Sequence, residues 1–237
     1  MEFVDYKCLE SLLIEGEDLI ATEGLINGIK TLIGKLVGII VGFFKSIAGL
    51  FTTAANKLKN RPIVTDKYAK ELQGEAFTIG VLESLVENST KCSSVMTEII
   101  KKVVSDINQN KKVASNADKL DSTTIDPYID KMHAHCNAFS ETVDEYKSKN
   151  NWVISESDKN ELAERLNSSA DKYNALSNRA GMILSTINFP NAEQRFGKEL
   201  ILEINKSMNA ITKDSATMSN SIHAVIDIIN KATIIDR

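Results

Sequence analysis

The chain has 237 residues, 43 % of them apolar and 6 % aromatic, and its formal net charge at pH 7 is −4. The apolar content is sufficient for a hydrophobic core, and the low number of prolines, three, favours helices over sheets. The slightly negative charge argues against a general nucleic-acid-binding protein, so we expect no specific nucleic-acid binding.

The first segment, residues 1–23, is an acidic leader. It contains seven acidic residues and a single basic residue, Lys7, and its apolar residues recur at roughly helical spacing. We expect one short acidic helix, or two that are interrupted near Gly16. The segment does not resemble a secretory signal peptide, because it is acidic and its apolar run is broken, so we expect intracellular synthesis.

The longest apolar concentration in the chain is Gly24–Phe51. At about 100° per residue, apolar side chains fill roughly half of the helix circumference, and glycines and three lysines fill the opposite half. Gly34, Gly38 and Gly42 recur at every fourth position and form a flat stripe against which another backbone could pack. Each interior glycine lowers helix stability by about 1 kcal/mol relative to alanine. We therefore expect this helix to need a partner or a membrane.

Three settings for this amphipathic helix stay open: a membrane surface, a partner protein, or the protein's own bundle, since broad apolar faces usually belong to a core. A membrane span is disfavoured, because only nine uncharged residues separate Lys35 from Lys45 and a span needs about twenty mainly apolar residues. The residues predicted to contact a partner or membrane are Ile33, Gly34, Leu36, Val37, Gly38, Ile40, Gly42, Phe43 and Phe44.

A polar and basic linker follows, from Thr52 to Pro62, and four long helices are predicted after it. In each helix the seam residues alternate in steps of three and four, a 3.5-residue period that is typical of coiled-coil-like packing. The pattern runs from Leu82 to Val103, from Ile129 to Tyr146, from Leu162 to Ile187 and, most regularly, from Ile201 to Ile229. Short connections favour an elongated antiparallel bundle.

The sequence therefore predicts an all-α protein in three parts. Residues 1–23 form the leader, residues 24–62 form an N-terminal amphipathic helical arm with its linker, and residues 63–237 form the bundle of about four long helices. Trp152 lies in the connection between two predicted helices, and we expect it to close one end of the bundle.

No pattern in the sequence predicts catalysis. The chain has no phosphate-binding loop, dinucleotide fingerprint, paired-cysteine zinc spacing or His-Glu-x-x-His motif, and no carboxylate lies in an apolar context that suggests a raised pKa. We therefore expect no enzymatic activity, no cofactor and no bound metal. The one cluster of metal-ligand types is His133-Ala134-His135-Cys136, which we interpret as a buried thiol beside solvent-facing histidines.

The three cysteines, Cys8, Cys92 and Cys136, are odd in number and far apart in the chain. This usage is typical of reduced, mostly buried thiols in an intracellular protein. It does not indicate a disulfide framework.

The end of the leader carries a family resemblance. Ala21-Thr22-Glu23, followed by Gly24, resembles the small-x-Glu sites that prohead proteases of giant tailed bacteriophages cut, and Leu13-Ile14-Glu15 resembles the aliphatic-x-Glu site of other large phages. In such families an acidic propeptide targets an internal or structural protein into the immature head and is then removed. The resemblance implies processing between Glu23 and Gly24, virion or assembly proteins as partners, and location in the virion and the host cytoplasm.

These observations favour a non-enzymatic structural or assembly protein, a bacteriophage virion component that associates through helices with copies of itself or with other particle proteins. The alternative is a membrane-active α-helical protein that inserts Ile33–Phe44, with Lys30, Lys35 and Lys45 at the lipid headgroups. A third hypothesis is a metal or redox protein that uses His133, His135 and Cys136.

Overall fold

The computed structural model describes residues 25–64, 74–110, 125–149, 151–187 and 198–236. These ranges contain five α-helices, which we number α1 (Leu25–Lys59), α2 (Ile79–Asn110), α3 (Asp126–Ser148), α4 (Glu156–Ile183) and α5 (Lys198–Lys231). A 3-10 turn (Leu184–Thr186) follows α4, and two short strands are present, β1 (Val153–Ser155) and β2 (Thr233–Ile235). The helices pack on one another, which confirms the predicted all-α bundle. The leader and the Glu23–Gly24 junction lie outside the described residues.

The bundle is a ring of five helices. Each helix has two principal neighbours, and the order around the ring is α1, α4, α2, α3, α5 and back to α1. The ends of α1, α2, α4 and α5 meet at one small sheet, so helices that follow one another in the chain run in opposite directions. We call this end of the bundle the sheet end and the opposite end the far end.

The first of these helices corrects the expectation of a separate arm. Five of the residues that we predicted to face a partner or membrane are at most 1 % exposed and belong to one core with the other four helices: Ile33, Leu36, Val37, Ile40 and Phe44. In the folded chain they are not available as a contact surface. Of the three settings left open, the structure therefore has the helix buried in the protein's own bundle.

The predicted boundary at residue 62 is corrected for the same reason. The helix does not end at Phe51 but continues to Lys59, because Ala54, Ala55 and Leu58 extend its buried apolar stripe. Most of the segment that we predicted to be a linker, from Thr52 to Lys59, is therefore the last two turns of α1. The described parts of residues 24–62 and 63–237 share one hydrophobic core, and these parts contain five long helices in one bundle where an arm and about four bundle helices were expected.

The small sheet was not predicted from the sequence. β1 pairs in parallel with β2, with Val153 opposite Thr233, and single bridges join Val64 to β2 and Ala76 to β1. Each strand has only three residues, which is too short for a strand period to be recognised. Gly74 lies against this sheet, where an added Cβ would be 1.9 Å from the carbonyl oxygen of Asn151, so only glycine fits there.

The prediction for Trp152 is confirmed. The side chain is buried at the sheet end, where its ring meets the ring of Phe77 edge-on at 5.6 Å. Its indole nitrogen donates a hydrogen bond to the carbonyl oxygen of Tyr146 at 3.2 Å. The residue thus closes the end of the bundle and satisfies its own polar atom.

The prediction of reduced cysteines is wrong for two of the three. Cys92 on α2 and Cys136 on α3 form a disulfide, with Cα atoms 5.7 Å apart. Both residues occupy predicted seam positions, and the ring places those two seams against each other. Disulfides persist mainly in oxidising environments, so cysteine usage no longer favours an intracellular protein. Cys8 lies outside the described residues.

Candidate functional site: the outer face of α1

The side of α1 that is turned away from the core is unusual for a helix of a bundle. We define the outer face of α1 as Asn27, Lys30, Gly34, Gly38, Gly42, Lys45 and Gly49, all of which are exposed or half-buried. Four of these seven positions are glycine, and the whole helix contains five lysines and no acidic residue. Solvent-facing helix positions usually carry charged or polar side chains.

Within the described residues, no packing contact requires glycine on this face. A Cβ atom added at Gly34, Gly38, Gly42 or Gly49 would meet no atom of these residues within 4 Å. Alanine at any of these positions would therefore fit without displacing a neighbour and would favour the helix. The predicted glycine stripe exists as a surface feature, and within the described residues no helix packs against it.

Half-buried apolar side chains lie along both edges of the glycine stripe. Ile39, Phe43 and Leu50 line one edge and Val41 lines the other, and all four pack against the core with part of their surface exposed. Phe43 is thus the one large residue of the predicted contact set that keeps a solvent-accessible part. The outer face is a shallow glycine floor between apolar edges, with lysines near its two ends.

The neighbour that contacts α1 most extensively is α4. Around Val41 this contact is made by small residues, since the hydroxyl group of Ser177 donates to the carbonyl oxygen of Val41 at 3.3 Å and Gly181 faces its side chain. Nearer the sheet end, the centroid of the Tyr173 ring lies 6.0 Å from that of Phe44 and 5.8 Å from that of Phe51. Small and aromatic residues of α4 therefore form the groove in which α1 lies.

Tyr173 is the polar centre of this groove. Its hydroxyl group donates to Ser89 at 2.9 Å and accepts from Ser93 at 3.3 Å, so the fully buried phenol is satisfied by α2. Burial raises the pKa of Tyr173, and the two serine hydrogen bonds only partly oppose that increase. The residue stays neutral and links α1, α2 and α4.

Within the described residues, one helix is long and apolar enough to cross a membrane. The segment Asn27–Lys59 has 33 residues; its most apolar stretch has a mean hydropathy of 1.8, and 39 % of that stretch is buried in the bundle. Length and composition alone do not indicate a membrane span, because core helices of soluble proteins share them. What distinguishes α1 is that its exposed part carries glycine and lysine and no acidic group.

A set of hydrogen bonds holds the carboxyl-terminal end of α1 at the sheet end. The guanidinium group of Arg61 donates to the carbonyl oxygen of Ile229 at 2.6 Å and to that of Ala232. The carbonyl oxygen of Arg61 in turn accepts from the ammonium group of Lys159 at 2.7 Å. Burial lowers the pKa of Arg61, but an arginine keeps its charge at physiological pH.

The interpretation of His133-Ala134-His135-Cys136 as a buried thiol beside solvent-facing histidines needs correction, because Cys136 is buried but is in the disulfide. Among the described residues no group of three or more His, Cys, Asp or Glu side chains is placed to hold a metal ion. His133 instead pairs with a residue that sequence reasoning missed. Its Nδ1 atom lies 2.7 Å from both carboxylate oxygens of Asp214 on α5.

Asp214 contradicts the expectation that no carboxyl group has a raised pKa. The residue is only 4 % exposed, and burial raises the pKa of its carboxyl group, although the hydrogen bond from His133 acts in the opposite direction. Its sequence neighbours, Lys213 and Ser215, are polar, so the local sequence does not indicate a buried carboxyl group. The available signal was its position next to Ser215, which is on the predicted seam of α5.

No protein-family model, no curated protein and no solved structure matches this chain. The resemblance to phage head proteins concerns the leader, which lies outside the described residues, and it stays a prediction.

Proposed function

We propose that this protein is a non-enzymatic, membrane-active helical bundle in which α1 leaves the core and inserts into a lipid bilayer. The observation that supports this function best is the outer face of α1. Four glycines lie on the solvent side of an apolar helix where a larger residue would fit. Each lowers helix stability by about 1 kcal/mol relative to alanine, and among the described residues no packing contact offsets this cost.

A membrane-inserted state of α1 would explain why these positions are glycine. Helices in a bilayer associate through small residues that let backbones approach closely, and a spacing of four residues between the small residues is typical of such contacts. Gly34, Gly38 and Gly42 have this spacing. In that state the glycine stripe would face another inserted helix, which is a contact that the monomeric bundle does not make within its described residues.

The energetics of such a transfer require a bilayer. The inward side of α1 buries large apolar side chains such as Leu36, Ile40 and Phe44, and exposing each of them to water would destabilise the chain by about 1.5–3 kcal/mol. Lipid tails solvate these side chains about as well as the protein core does. Release into water is therefore strongly unfavourable, whereas release into a membrane is close to balanced.

Charge favours an anionic membrane. The five lysines of α1 are not accompanied by any acidic residue on the helix, and each basic residue near an anionic surface contributes about 1 kcal/mol of attraction. Lys35 and Lys45 border the apolar stretch, so their ammonium groups would reach the headgroups while that stretch is buried below them.

The test is dye release from vesicles with α1 either free or locked. Val41→Cys with Gly181→Cys places two thiols across the contact between α1 and α4, because a Cβ at Gly181 would lie 3.9 Å from a methyl group of Val41. We expect the full chain, or the chain that begins at Gly24, to release dye from vesicles that contain phosphatidylglycerol. The oxidised double variant should release none until it is reduced.

Each single-cysteine variant and the wild-type chain with reductant serve as controls, because reductant also opens the disulfide between Cys92 and Cys136. The proposal fails if neither wild-type form binds or permeabilises vesicles. It also fails if the locked double variant releases dye as fast as the single variants do.

The second candidate is the structural or assembly function that the sequence favoured. The observation that favours it is the far end of the bundle, where Met182 and Leu202 are 68 % and 67 % exposed and Leu184 is also exposed. Apolar groups at one end of a rod suit end-to-end association with copies or with particle proteins. Light scattering of the purified chain, and mass spectrometry showing whether native protein begins at Gly24, would test this candidate.

A further inference from the structure

We infer that Arg61 is a latch that keeps the carboxyl-terminal end of α1 on the bundle and thereby limits the release of this helix. The inference rests on the proposed function, in which α1 leaves the core. Arg61 lies two residues beyond the end of α1. It donates to the carbonyl oxygen of Ile229 in the last turn of α5 and to that of Ala232, which follows α5. The carbonyl groups of a last helical turn have no partner within their own helix, so they are free to accept these bonds.

The latch has further attachments on both sides of Arg61. Lys159 at the start of α4 donates to the carbonyl oxygen of Arg61 at 2.7 Å. The backbone amide of Val64 donates to the carbonyl oxygen of Ile234 at 2.8 Å. The five residues that follow α1, Asn60–Val64, are thus tied to α4, to the end of α5 and to β2.

These ties differ in kind from the contacts along α1 itself. In the described part of α1 every buried side chain is apolar, and such packing has no directional requirement, so lipid can replace it. The bonds of a guanidinium group to two carbonyl oxygens are charge-assisted and geometrically specific. The end of α1 can leave the bundle only after these hydrogen bonds break.

The position of Arg61 also suits a latch better than a general support. It joins the end of α1 to the end of α5, its neighbour in the ring, and it does so at the edge of the core. Burial lowers the pKa of Arg61, which indicates that the charged group is partly desolvated and depends on these acceptors. Its removal should therefore loosen this end of α1 while the rest of the core stays intact.

Hydrogen–deuterium exchange of the full chain in solution tests the latch without a membrane. We expect Arg61→Met to raise exchange of the last turns of α1 about tenfold, since it removes two charge-assisted hydrogen bonds, with α2 and α3 unchanged. Lys159→Met, which removes a different tie of the same latch, should raise exchange of the same amides by a smaller factor. Lys231→Met is the matched control, because it removes an exposed charge from the same end of the bundle.

The inference is overturned if exchange of α1 in Arg61→Met equals that of wild type, or if all five helices accelerate together, which would make Arg61 a general stabiliser. Dye release from the same vesicles separates this result from the proposed function. Faster exchange of α1 in Arg61→Met with no dye release by any variant would support the latch and contradict the membrane function. Dye release by the wild-type chain with no effect of Arg61→Met on exchange or on release would support the membrane function and contradict the latch.

Discussion

Asp214 is the residue whose chemistry depends most on its surroundings. It is buried between α5 and α3, and its carboxyl group has a pKa above the usual 3.8 because burial disfavours the charged form. The folded chain therefore holds this proton at a pH where the unfolded chain has released it. The free energy of unfolding should rise as the pH falls through the raised pKa, and the rise should be complete below 3.8.

Asp214→Asn isolates this effect, because the substitution removes the titrating group. We expect the wild-type chain to gain stability relative to Asp214→Asn as the pH falls through that window, measured by urea unfolding at a series of pH values. Other buried acids titrate in both chains and cancel in the difference. Parallel stability profiles for the wild-type chain and Asp214→Asn would contradict the prediction.

His133 provides a second check on the same residue. Its hydrogen bond lowers the pKa of Asp214 and partly offsets the effect of burial. His133→Ala should therefore move the pH-dependent step that Asp214 causes to higher pH. A step that stays in place, or that moves to lower pH, would show that the imidazole does not stabilise the carboxylate.

At the scale of the element, we expect two substitutions in α1 to stabilise the chain, whereas most substitutions in a folded protein destabilise it. Gly38→Ala and Gly42→Ala should each raise the free energy of unfolding by about 1 kcal/mol, because alanine is the better helix former and the added methyl group meets no atom. Urea unfolding measures the gain. If the proposed function holds, the same substitutions should slow dye release, since they stabilise the bundle and obstruct close helix contact.

Gly74→Ala is the matched control for these substitutions. It adds the same methyl group at a site where a Cβ would lie 1.9 Å from the carbonyl oxygen of Asn151, so it should destabilise the chain. If Gly38→Ala and Gly42→Ala left stability unchanged or lowered it, the outer face of α1 would have a contact that the described residues do not reveal.

The same helix marks the limit of what the sequence could predict. Its period of 3.6 residues identified the apolar side and the glycine side correctly, because periodicity is a local property. Periodicity does not say what covers the apolar side, so Leu36 and Phe44 were assigned to a partner or membrane when the chain's own helices cover them. The end of the helix was misplaced because polar residues such as Thr52 and Thr53 hid the continuing stripe of Ala54, Ala55 and Leu58.

The pairs that the sequence missed are all distant in the chain. Cys92 and Cys136 are 44 residues apart, and His133 and Asp214 are 81 residues apart. Each residue could be placed on a helix face, but pairing requires the order of the helices around the ring. That order depends on how five apolar stripes share one core, and no single stripe contains this information.

At the scale of the whole molecule, the order of helices in the ring determines which of them the disulfide restrains. The disulfide joins α2 to α3, and α1 lies across the ring between α4 and α5. The covalent link therefore does not restrain α1. The departure of α1 would open the contacts with α4 and α5 and would leave the linked pair intact.

The disulfide leads to the last prediction. Loss of the link between Cys92 and Cys136, tested as a double alanine variant, should lower the free energy of unfolding by about 4 kcal/mol, the chain-entropy value for a loop of this length. Helix content by circular dichroism should stay the same, because the link stabilises the packing of α2 on α3 and not the helices themselves.

Alkylation tests the covalent link directly. In denaturant without reductant, oxidised wild-type protein should accept one label, at Cys8, and after reduction it should accept three. Three labels before reduction would contradict the link, and an unchanged unfolding free energy would mean that α2 and α3 pack equally well without it.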